Sequence, residues 1–392
     1  MVMPPETEKR TQPGQLELIA AILMGGLGIT QVVAMPLLAT LIASAFQIEG
    51  ADSGLIGLAN LLGTAFGSLL VTVWLHRLPL RRTAIVSALF AFAAQIAVPF
   101  ITDFTGIILL EALAGIGAGV LIALSAAIVG ASANPDRGFA FILTLQAGVA
   151  VLVLLVIPFL AEAYSLLEVM VFLASTQALL IPVGLTMRHG PIAEKALKTS
   201  EASGSRFQMT LLLRAASYFV FSAAVGVLWV FSGILGSMAE IADAQLGQAL
   251  AFGNVAAIAG SLLAAMITSR FGRLAPILAV CLTLALSALL FTADMALMQF
   301  YIASSLFLFA WGGGLPLLMG SVAAADSTDR VTSLLPVLAF AGMGVGPALV
   351  GLAPGASGLF QQVSYTTIGL VVLAFCLLVS AHTGPNSKKY IG

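Results

Sequence analysis

Apolar and polar positions in this chain neither alternate with period two nor form the narrow apolar stripe of a helix on a soluble core. Apolar and small residues run on for about 20 residues or more, then stop at short polar or Pro/Gly-marked breaks. Twelve such runs follow one another, over 17–46, 52–75, 83–102, 104–131, 138–161, 166–187, 210–237, 244–268, 274–293, 297–325, 330–353 and 363–382. Buried strands are far shorter, and a helix crossing a bilayer needs about 20 apolar residues. The pattern therefore predicts an all-α membrane protein with twelve transmembrane helices. A membrane β-barrel would need the missing alternation.

Composition points the same way. Of 392 residues, 60% are hydrophobic and 8% charged, whereas soluble domains carry about 25% charged residues. The chain cannot cover a water-facing surface, so the lipid bilayer is its expected solvent. The 39 glycines suit helices that pack backbone to backbone in lipid. Cys281 and Cys376 lie in apolar runs without a nearby partner, so no disulfide framework or metal-ligand set is expected. The first apolar run is too long for a signal-peptide core and is expected to be retained as a helix.

Charge placement sets the orientation. Lys9, Arg10, Arg77, Arg81, Arg82, Arg137, Arg188, Lys195, Lys198, Arg206, Arg270, Arg273, Arg330, Lys388 and Lys389 all fall on one side of the predicted spans. Arg214, at the start of the seventh span, has a stem long enough to snorkel to that same face. The loops on the other side carry only acids: Glu49, Asp52, Asp103, Glu162, Glu168, Glu240, Asp243 and Asp294. Both termini are expected in the cytoplasm. Short loops and the lack of a targeting segment point to a bacterial inner membrane.

The only long polar connection lies between the sixth and seventh spans. It divides the chain into 1–187, a linker at 188–209, and 210–392. The outer pieces repeat each other at an offset of 193 residues. Gly67-Ser68-Leu69-Leu70 recurs as Gly260-Ser261-Leu262-Leu263, Arg77 as Arg270, and Asp136-Arg137 as Asp329-Arg330. Chance coincidence of apolar loops can explain the first match but not the charged ones, because Arg and Asp are scarce here. Two pseudo-symmetric six-helix bundles follow from duplication.

The second copy of one loop, Ser269-Arg270-Phe271-Gly272-Arg273, is similar to the cytoplasmic loop motif of the major facilitator superfamily of secondary transporters. The first copy, His76-Arg77-Leu78-Pro79-Leu80-Arg81-Arg82, is degenerate, and neither copy has the family's Asp. Pro135-Asp136-Arg137-Gly138-Phe139-Ala140 resembles the turn that follows helix four in that family. The resemblance spans the whole chain. It implies a conformational latch built from Arg77, Asp136, Arg137, Arg270, Gly272, Arg273, Asp329 and Arg330; the plainer alternative is that these arginines only set topology. It also implies a central cavity lined by helices one, four, seven and ten.

One acid lies deep in an apolar run: Glu111, followed by Gly115, Gly117 and Gly119. A charged carboxylate in mid-bilayer costs about 2.5–3.5 kcal/mol on insertion scales, so it must be neutralised, paired or facing water. Its counterpart in the second half is Ser304, so the fold does not require an acid there. Glu111 is the candidate proton-coupling group, set against a structural hydrogen bond to a neighbouring helix. Gln31, Tyr218, Trp229, Tyr301, Ser304 and Trp311 are candidate cavity residues on the four lining helices, with Asn60, Gln146 and Asn254 on neighbouring ones. Each amide is equally readable as an interhelical tie, and the two tryptophans as core packing. The glycine clusters, including Gly342-Met343-Gly344-Val345-Gly346-Pro347, read as close-packing surfaces and a bending point rather than phosphate loops.

The leading expectation is a secondary transporter working by alternating access on a small organic solute, amphipathic or aromatic in kind, with the proton as coupling ion. No P-loop, cofactor site or catalytic cluster is expected: His76, His189 and His382 sit on separate elements at one boundary, against an integral-membrane enzyme. No nucleic-acid partner is expected, and the protein is expected to be a monomer. A non-transporting receptor or assembly partner on the same scaffold is the alternative.

Overall fold

The computed structural model describes residues 13–48, 52–75, 77–132, 135–190, 205–271, 273–326, 331–353 and 357–383, without the side chains of 135–137, 140, 205–208, 265, 267–271, 333 and 383. Among these residues the regular elements are all helical. In chain order they are α1 Gln15–Leu27, α2 Thr30–Ala45, α3 Ser53–Trp74, α4 Leu80–Ala97, α5 Phe104–Gly130, α6 Pro135–Ala163, α7 Leu166–Gly184, α8 Ser205–Met238, α9 Asp243–Phe271, α10 Leu274–Leu290, α11 Leu297–Ala323, α12 Leu335–Ala348 and α13 Leu359–Thr383.

Among the described residues, ten helical stretches are long and apolar enough to cross a membrane, with α1 and α2 counted together. Two of the predicted spans are shorter than expected, α10 with 17 residues and α12 with 14. In α12 the ends tighten into 3₁₀ turns at Thr332–Leu334 and Val350–Leu352. Pro336 in its first turn also removes a backbone donor.

The first span is a broken helix rather than one continuous rod. Gly25, Gly26 and Gly28 surround the break, and glycine is a weak helix former. Non-helical backbone survives at membrane depth only when protein satisfies it, and here other helices do so. Ser125 of α5 donates to the Ala21 carbonyl at 2.5 Å, and Gln146 of α6 to that of Gly25 at 2.9 Å. The Leu27 carbonyl accepts from Thr30 at 2.5 Å and from Gln177 of α7 at 3.5 Å.

Helices α1 to α7 pack mainly on one another, as do α8 to α13. The internal repeat is visible in the tightest contacts of each group. Gly67 of α3 lies against the Ile116 carbonyl of α5, and Gly119 of α5 against that of Thr64. At the same offset of 193, Gly260 of α9 lies against the Phe309 carbonyl of α11, and Gly312 against that of Ala257. In all four places a Cβ would overlap the facing carbonyl. The predicted packing role of the other glycines also holds: Gly115 meets the Asn60 carbonyl, Gly117 that of Ser87, and Gly342 and Gly346 those of Phe219 and Ala223.

Elsewhere the surface is apolar. Leu152, Leu155 and Phe159 on α6, and Phe252, Val255, Leu262 and Met266 on α9, are 46% to 72% exposed. Stripes of this size on a water-soluble protein would aggregate, whereas lipid covers them at no cost.

Candidate functional site: a buried carboxylate cluster

Glu111 is held in the second turn of α5, where no side-chain atom reaches solvent. Its backbone is positioned by the glycines that follow it, which bring α5 onto α3. At that closeness two amides from two helices meet one side chain, and a third amide from another helix backs one of them. Gln31 of α2 donates its Nε2–H to Glu111 Oε2 at 2.7 Å. Asn60 of α3 donates from Nδ2 to the same oxygen and to the Glu111 backbone carbonyl, each at 3.3 Å. Gln95 of α4 donates from Nε2 to Gln31 Oε1 at 2.9 Å. Gln31, Asn60, Gln95 and Glu111 are all fully buried.

The bonds run in one direction, Gln95 to Gln31 to Glu111, so amide donors are aimed at one carboxyl oxygen. The other side of the balance is a surplus of acceptors. Glu111 Oε1, Asn60 Oδ1 and Gln95 Oε1 are buried and accept no hydrogen bond among the described residues. Buried polar atoms are normally satisfied, and one added proton on Oε1 would turn an acceptor into a donor.

A second feature lies one residue further along α2. Trp229 of α8 donates its indole N–H to the Val32 carbonyl at 2.7 Å. Its ring packs at 5.0 Å from that of Trp311 and 6.2 Å from that of Phe307, both on α11. Trp229 is fully covered while Trp311 is half-buried.

No family model matches this chain, and no curated protein matches its sequence. Solved structures do match in three dimensions. The nucleoside transporter NupG superposes with a TM-score of 0.71 at 14% identity, over 93% of this chain and 99% of that one. A POT family transporter in complex with 5-aminolevulinic acid gives 0.74 at 12% identity, over 94% and 98%. A bacterial homologue of the lysosomal transporter Spinster, inward-facing and occupied, gives 0.68 at 16%, over 93% and 96%. This chain shares the fold of these solved transporters.

Within this fold the residues singled out in the sequence fall in four different settings. Gln31, Asn60 and Glu111 come together in the cluster above. Gln146 instead supports the α1–α2 break, and Asn254 bonds the Leu250 carbonyl of its own helix at 2.9 Å. Tyr218, Trp229 and Ser304 are buried, and Ser304 Oγ has no hydrogen-bond partner. Tyr301 lines an open apolar groove of about 460 Å³ with Phe252, Met298, Ile302, Ser305 and Leu306.

Of the latch residues, Arg77 is exposed on the turn after α3. Arg273 lays its guanidinium over Gly320 near the end of α11, where a cation complements the helix dipole. Arg214 does the same by donating to the Ser321 carbonyl at 2.8 Å. The side chains of Asp136, Arg137 and Arg270, and all of Gly272, Asp329 and Arg330, lie outside the described residues. An ion pair not foreseen in the sequence joins Arg188 to Glu17 in a fork of 2.7 and 3.0 Å, tying the end of α7 to the start of α1.

Gln95, on the third span, is not among the residues expected from the four lining helices or from the amides Asn60, Gln146 and Asn254 on their neighbours. A lone amide within the 18-residue apolar helix α4 was the available signal, since such a group must find a partner in lipid.

Proposed function

We propose that this protein is a proton-coupled secondary transporter for a small organic solute. Two six-helix bundles, 1–187 and 210–392 joined by 188–209, rock about a shared site to give access to either face in turn. The observation that supports proton coupling is the Glu111 cluster. It is a buried carboxyl with one oxygen surrounded by amide donors and the other without any, so the site has both a charge-stabilising side and a place for a proton.

Orientation follows from the charge pattern, with the arginine-rich end in the cytoplasm and the acidic turns outside. Two of the structurally similar proteins are a nucleoside transporter and a transporter bound to 5-aminolevulinic acid, so nucleosides and small amino-acid derivatives head the panel of solutes to try. An apolar wall with few polar anchors, and arginines drawn to helix ends, favours a neutral or aromatic solute over a polyanion.

The test is counterflow and pH-gradient-driven uptake of that panel in proteoliposomes, with wild type and Glu111→Gln. Expected is loss of gradient-driven accumulation in the variant, with solute exchange retained. Accumulation equal to wild type in Glu111→Gln would remove the carboxyl from the mechanism.

A further inference from the structure

Pro36 lies inside α2 and has no N–H. In a regular helix the donor to the Val32 carbonyl would be residue 36, so that carbonyl loses its helical partner. Trp229 supplies the replacement from α8, in the other group of helices, at 2.7 Å. One turn further, Gly233 of α8 lies against the carbonyl of Pro36 itself, where a Cβ would overlap it. The spacing of four puts Trp229 and Gly233 on one face of α8, so both ends of the proline turn are read by a single helix.

The same construction recurs between the groups. Pro158 in α6 leaves the Leu154 carbonyl without its donor, and Gly247 of α9 packs against that carbonyl and the proline ring. The second junction, and the α8 side of the first, lie toward the acidic ends of their helices, near Glu162, Asp243 and Glu240; on α2 the first lies just after the break, in the middle of the span. Around these junctions α8 is buried on every side from 221 to 236, close to its acidic end, and α2 from 30 to 39, while residues 40, 41 and 44–46 of α2 are partly or fully exposed. Toward the basic end, α8 is partly exposed from 209 to 214.

We infer that Trp229 is a positioning residue of the transport cycle: its bond to the proline-vacated Val32 carbonyl holds the acidic end closed. The latch is tied to the carboxylate cluster by adjacency. Gln31 and Val32 are consecutive residues in the first turn of α2, just after the break; one bonds Glu111 and the other Trp229. A change at Glu111 that moves Gln31 therefore moves the latch carbonyl with it. This coupling rests on the proposed role of Glu111; the latch does not.

The experiment places spin labels at Tyr164 and Asp294, on acid-end turns of the two groups, in full-length protein with Cys281 and Cys376 replaced, in lipid nanodiscs. Pulsed electron resonance then gives the ratio of separated to closed acid ends. Trp229→Phe keeps a ring for Trp311 and Phe307 but removes the donor, and loss of one buried hydrogen bond should raise the ratio about 2- to 12-fold. Pro36→Ala restores a helical N–H that competes for Val32, so it should raise the ratio too, and the double variant should show less than the product of the two effects. Glu111→Gln should change the ratio in wild type and leave it unchanged in Trp229→Phe. An unaltered distribution in Trp229→Phe overturns the latch, and fully multiplicative effects overturn the shared carbonyl. No response to Glu111→Gln overturns only the coupling. Because no solute is needed, absence of flux in any assay would refute transport while leaving the latch standing.

Discussion

At Gln31 a single side chain joins two functions, accepting from Gln95 and donating to Glu111. Replacing it by leucine leaves the Gln95 donor and the Glu111 carboxyl short of partners in a place water does not reach. Such a loss costs about 1–3 kcal/mol, so Gln31→Leu should melt clearly below wild type in detergent. Ser304 is the opposite case. Its hydroxyl is buried and makes no bond, so Ser304→Ala should leave the melting temperature unchanged or raise it slightly. A drop as large as that of Gln31→Leu would mean that Ser304 has a partner. That Glu111 needs partners was legible in the sequence, because an acid in an apolar run must be neutralised or paired. Its partners were legible only as a pool of amides, since Gln146 and Asn254 look the same on paper and turn out to serve backbone carbonyls instead.

Among the elements, the pairs α3 with α5 and α9 with α11 show how glycine spacing becomes architecture. Each of Gly67, Gly119, Gly260 and Gly312 admits a facing backbone carbonyl that a Cβ would overlap. Gly119→Ala must push α5 away from Thr64, which should cost about 1–3 kcal/mol as overpacking does. Gly369→Ala in α13 meets nothing within 4 Å and should cost nothing in the same melting assay. Equal losses in both would show that glycine flexibility, not packing, is at work. The glycine repeat was readable in the chain, but the break between α1 and α2 was not. The run 17–46 is apolar throughout, and only the side chains that cap its carbonyls from α5, α6 and α7 make an interruption affordable there.

For the molecule as a whole, orientation is the most direct prediction. A cysteine at Tyr164, exposed at the acidic end, should react with a membrane-impermeant maleimide added to intact cells. One at Gly190, exposed at the basic end, should react only once the membrane is opened. The reverse pattern would invert the proposed topology. The chain by itself determined the solvent, the helical class, the repeat and the charge asymmetry, because those depend on how apolar surface and charge are distributed along it. Which amides meet Glu111 and which carbonyl Trp229 occupies were decided by tertiary packing. Those contacts join residues 80 and 197 positions apart, and nothing local in a sequence records which distant surfaces will fit.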